Sequence, residues 1–91
     1  MKRHTNFCLQ IDYQTIDEEV RIQQFNNEQR HGKAFNSEHE FYAVLLEEVE
    51  KFWESIKDED PDPKQLIDIL AVARGGCIWL CDKSRRELNK D

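Results

Sequence analysis

At 91 residues the chain has room for one domain, and a chain of this size removes only about 60–65% of its unfolded surface from water, so its own core is small. Hydrophobic residues make up 38% and aromatic ones 10%, which is too apolar for a disordered chain, while three glycines and two prolines are too few for a turn-rich all-β fold. Thirteen Lys and Arg against nineteen Asp and Glu give a formal net charge of -6, which argues against binding a nucleic-acid backbone.

Residues 1–14 carry no clear hydrophobic period and read as an arm that packs on a single domain over 15–91. No apolar run follows Met1-Lys2-Arg3-His4, and the longest apolar stretches, 41–46 and 69–73, are far short of a membrane span. Cys8, Cys77 and Cys81 form no disulfide framework. The expectation is a soluble cytoplasmic protein with free thiols.

The first helix is expected over about 15–31. Thr15 with Glu18 has the spacing of a capping box, Ile16, Val20 and Phe25 give a thin apolar stripe, and Arg30-His31-Gly32 reads as a helix end. Ser37 with Glu40 repeats the capping spacing. Tyr42, Leu45, Leu46, Val49, Phe52, Trp53 and Ile56 then fall within one broad face of a second helix. The acidic, proline-bearing stretch 58–63 ends that helix and starts a third, from Pro63 to about Asp82, with the tail continuing or fraying. Its first half is apolar on nearly every side, so it wants partners on more than one face. Gly75-Gly76 inside it implies close approach of another helix. The fold expected is all-α, a helical bundle completed by homodimerisation.

The carboxylates carry the chemical interest. Glu47, Glu50 and Glu54 project away from the apolar stripe, whereas Glu48 lies at its edge. Asp68 stands in Leu66-Ile67-Asp68-Ile69-Leu70, where a bare carboxylate shifts its pKa upward or finds a cation. Its counterpart is a divalent metal shared with Glu48, or Lys51 across the helix pair, or solvent along a groove. Cys77 and Cys81, one turn apart, read as small packed residues, and His39 as a contact at a helix start. Lys83, Arg85 and Arg86 read as a solvated helix end. Trp53 and Trp79 read as core or interface anchors, with base stacking the second option.

Phe35-Asn36-Ser37, His39-Glu40, the run Tyr42–Val49, Trp53 and the run Leu66–Ala73 together resemble the MazG-type all-α nucleotide pyrophosphohydrolases, particularly short MazG-like proteins. The resemblance covers 35–82. It implies a dimer or dimer of dimers that holds Mg²⁺, with Mn²⁺ as a substitute, and cleaves nucleoside triphosphates to a monophosphate and pyrophosphate. The family pattern is two adjacent glutamates, a third glutamate three residues on, then a glutamate and an aspartate three apart on the next helix. Glu47 and Glu48 match the adjacent pair and Asp68 the final aspartate, but Lys51 and Gln65 stand where the other two glutamates belong.

By resemblance, Glu48 and Asp68 are the catalytic metal ligands and Glu47 a lesser one, while Lys51, Gln65 and Trp53 lie toward the substrate. The two departures remove two negative charges and add a positive one. They leave three outcomes: an inactive relative acting as a nucleotide-binding or protein-interaction module, a weakened hydrolase with one Mg²⁺, or a site where Lys51 meets phosphate directly.

Overall fold

A computed structural model describes residues 12–89. The arm expected over 1–14 lies almost wholly outside the described residues, as do His4 and Cys8. Three helices follow in order: α1 (Tyr13–His31), α2 (Glu38–Lys57) and α3 (Pro63–Leu88). Among the described residues there is no strand, so the fold is all-α, and no helix is long and apolar enough to cross a membrane.

Each helix boundary has a local cause. Asp12, not Thr15, caps α1: its carboxylate accepts from the Thr15 N–H at 2.8 Å, and this hydrogen bond holds the Asp12 pKa below its ordinary value. Thr15 with Glu18 mimics a capping pair, but Asp12 lies three residues earlier and takes that part. α1 ends where expected. Gly32 adopts φ 83°, a left-handed conformation that glycine enters without steric cost, and its N–H donates to the Glu28 carbonyl at 2.8 Å.

Ser37 caps α2, accepting from the Glu40 N–H at 3.1 Å. The Glu40 carboxylate reaches one residue beyond the cap, accepting from the Asn36 backbone at 3.1 Å and from its side chain at 2.8 Å. At the far end of α2 the Ser55 hydroxyl donates to the Phe52 carbonyl and accepts from the Asp62 N–H. These bonds fold the turn back, so that Asp62 caps α3 by accepting from the Lys64 N–H at 2.9 Å. The tail is helical to Leu88.

α3 is the central rod. Val20 on α1 packs with Ile67 and Ala71 on α3, and Ile16 joins them. Farther along, the Arg74 guanidinium donates to Gln24 Oε1 at 2.7 Å, so α1 and α3 run parallel. α2 runs antiparallel to α3, pairing its start with the end of α3 through a Glu38–Lys83 ion pair. α1 and α2 both pack on α3 and scarcely on each other. The stripe expected on α1 is corrected at one position: buried Gln24 continues the line of Ile16 and Val20, while Phe25, a hundred degrees round the helix, is exposed.

The glycine pair does what its position implies. A Cβ on Gly76 would collide with the Phe41 ring, whereas one on Gly75 would meet Gln24 at an ordinary 3.7 Å. Phe41 is held by Phe35 and Trp79, with ring centroids 5.1 and 6.5 Å away. Gly75→Ala should therefore raise stability by up to about 1 kcal/mol through helix propensity. Gly76→Ala should lower it by about 1–3 kcal/mol despite the same propensity gain, because the core is overfilled. Urea unfolding of the two variants checks this, and equal effects would contradict the close approach.

Candidate functional site

Because α1 and α2 flank α3 without closing on each other, a cleft of about 660 Å³ opens between them. Glu47, Glu48 and Lys51 line it from α2, Asp68 from α3, and Gln23 and Asn27 from α1, with the turn after α1 at its rim. Antiparallel packing of α2 on α3 is what brings residues 47–51 level with residue 68.

Inside the cleft, Lys51 Nζ donates to Glu48 Oε1 at 3.2 Å. Glu48 is largely shielded, its side chain 18% exposed, whereas Lys51 is 52% exposed. Asp68 is half-buried, and its pKa is pushed above the ordinary carboxylate value first by burial and second by the negative charge of Glu48, with Lys51 opposing. Glu48, Lys51 and Asp68 thus act on one another across a shared space. An ion pair bridges one turn of α2, and the α3 carboxylate facing it is left partly uncompensated.

The other expected site residues are dispersed. Glu47 reaches the cleft but is exposed. Gln65 does not line it; its Oε1 is buried with no hydrogen-bond partner among the described residues. Trp53 is on the outer face of α2, 54% exposed, with Lys57 Nζ 6.0 Å from its ring. Trp79 is a core residue, edge-on to Phe35 at 5.4 Å. Cys77 and Cys81 are free and exposed, not packed.

The donor set also bears on metal binding. Among the described residues no three His, Cys, Asp or Glu side chains come together as a group able to hold a metal ion. The residues present therefore do not fit a multi-metal cluster. Two carboxylates, one of them engaged by an ammonium, fit no more than one weakly held ion.

The wall contributed by α1 is legible only in the structure. Gln23 Nε2 donates to Asn27 Oδ1 at 3.0 Å, and Gln24 Nε2 donates to Glu28 Oε2 at 3.1 Å. The i,i+4 spacing of these amide and acid pairs was the available signal, but on a weakly amphipathic helix such residues read as a solvated face. Arg30 and Lys33 bring positive charge to the rim.

No family model, curated protein or solved structure matches the chain.

The raised Asp68 pKa makes stability depend on pH. Between the ordinary value of 3.8 and the higher folded value, the folded protein keeps a proton that the unfolded chain has released. The corresponding stabilisation is complete below pH 3.8 and is lost as pH rises through the folded value. Asp68→Asn should therefore gain stability relative to wild type from about pH 4 to pH 7. Lys51→Gln should move the Asp68 titration further upward. Carbon-detected NMR titration of the side-chain carboxyls reads both, and a downward move in Lys51→Gln would contradict the charge arrangement.

Proposed function

We propose that this chain is a MazG-like relative of the Mg²⁺-dependent nucleoside triphosphate pyrophosphohydrolases, whose cleft receives a nucleotide polyphosphate while turnover is weakened or lost. The observation that carries the proposal is the Lys51–Glu48 ion pair facing Asp68 across the cleft. A carboxylate pair on neighbouring helices supports the resemblance, and an ammonium among them explains reduced chemistry, because it competes with any cation for Glu48.

The charge of the cleft defines what could enter. Its lining carries Glu28, Glu40, Glu47, Glu48 and Asp68 against Arg30, Lys33 and Lys51. A bare triphosphate would be repelled by that balance. A nucleotide already complexed with Mg²⁺ would not, because the ion offsets the acids as well as the phosphates. Glu48 and Asp68 would hold the ion, with Glu47 at its edge, and the ion would neutralise phosphate charge and polarise an attacking water. Lys51, released from Glu48, would meet a phosphate oxygen, while the Gln23–Asn27 amides would stand along the opposite wall.

Pyrophosphate release from a panel of nucleoside triphosphates with Mg²⁺ or Mn²⁺ tests the reading. Wild type should show slow or no turnover, and any turnover should disappear in Asp68→Asn. Lys51→Glu should gain a Mg²⁺-dependent rise in Tm and faster release, because it removes the ammonium from the cleft and adds a carboxylate to it. Turnover indifferent to Asp68→Asn, together with no metal response in Lys51→Glu, would remove the proposal. If wild type and Lys51→Glu show neither turnover nor nucleotide-induced stabilisation, a helical module for protein interaction becomes the better reading.

A further inference from the structure

Neither the core nor the cleft uses the thiols of α3. Cys77 and Cys81 are both free and exposed, and they stand four residues apart on an unbroken helix. The cleft takes Asp68, Ala71, Val72 and Gly75 from the same helix, and the helical period sets both thiols on the side away from them. We propose that Cys77 and Cys81 form a two-thiolate site for one soft monovalent cation of the copper(I) class. The inference stands independently of the nucleotide reading.

Geometry separates this pair from a disulfide. Residues four apart on a helix hold their Cβ atoms about 5–6 Å apart, one above the other, whereas a disulfide needs about 3.5–4.5 Å. Closing that bond would require a turn of α3 to unwind. A metal ion bridges a wider gap. With metal–thiolate bonds of roughly 2.3 Å, two sulfurs stand about 3.8–4.6 Å apart across the ion, depending on the angle at the metal. Rotation about the two Cα–Cβ bonds brings the Sγ atoms to that span with the helix intact.

The donor set selects the ion. Thiolates favour soft cations over hard ones such as Mg²⁺ or Ca²⁺. Among the described residues no third His, Cys, Asp or Glu joins the pair to make a metal-holding group. A zinc ion, which takes four ligands in a closed site, would be left half bound. Copper(I) is satisfied by two thiolates in a near-linear arrangement, so it is the ion this pair fits. Binding releases both thiol protons to solvent, and the resulting complex carries one negative charge. Arg74 lies three residues before Cys77 and Arg85 four after Cys81, near enough on the helix surface to offset that charge.

Anaerobic titration of the reduced full chain with copper(I), in competition with a chromophoric copper(I) chelator, tests the site. One equivalent should bind, with two sulfur neighbours in the copper X-ray absorption spectrum. Cys77→Ser and Cys81→Ser should each weaken binding by roughly a hundredfold or more, the gain that a second linked donor brings, with the circular dichroism of wild type retained. Cys8→Ser should leave binding unchanged. Mild oxidation of the dilute, metal-free chain should give no Cys77–Cys81 disulfide by peptide mass mapping. The proposal is overturned by no binding in the competition, by binding that survives either Cys77→Ser or Cys81→Ser, or by binding lost in Cys8→Ser. An internal Cys77–Cys81 disulfide formed with helicity intact overturns it too, because the two thiols would then close on each other without an ion.

Discussion

The Phe41 ring resting on the bare backbone of Gly76 is the contact on which the arrangement depends. It lets the start of α2 approach α3 more closely than two side chains would allow, and Phe35 and Trp79 hold the ring there. The turn at Ser55 and Asp62 fixes the other end of α2. With both ends fixed, the register of α2 on α3 is set, and residues 47–51 come level with Asp68. α1 is positioned separately, by Val20 on Ile67 and Ala71 and by the hydrogen bonds from Arg74 through Gln24 to Glu28. Two helices held to a third but not to each other leave the cleft between them.

What the cleft contains is a charge problem partly solved from within. Glu48 would be costly as a lone shielded carboxylate, and Lys51 one turn on neutralises it at 3.2 Å. Asp68 has no such direct partner among the described residues, and burial and Glu48 raise its pKa. A side-chain ammonium thus stands among acids that, by the family resemblance, would face cations. On the proposed reading, that arrangement would tolerate a cation-bearing polyphosphate better than a bare one and would weaken the polarisation of an attacking water.

Much of this was legible in the sequence, for identifiable reasons. The periods of the second and third helices, the Ser37 cap, the Asp-Pro stop and the glycine pair are local or periodic signals, and each led to the right element. Glu48, Lys51 and Asp68 line one cleft because antiparallel packing of α2 on α3 brings residues 48–51 level with residue 68. Three things were not legible. The cap of α1 was misplaced because Thr15 and Glu18 offered a rival to Asp12. The α1 wall was missed because a buried glutamine satisfied by Arg74 cannot be told by period from an exposed one. The broad apolar face of α2 was one face in sequence but two in space, with Leu45 and Phe52 partly buried and Tyr42, Leu46, Val49, Trp53 and Ile56 exposed.

The central claim is that a nucleotide polyphosphate enters the cleft beside Lys51 and Asp68. Backbone amide NMR during titration with a non-hydrolysable nucleoside triphosphate and Mg²⁺ tests it most directly. The expected result is saturable shifts at Lys51, Asp68, Gln23 and Asn27, abolished in Asp68→Asn and absent without the metal. Shifts confined to other surfaces, or none at millimolar ligand, would contradict it.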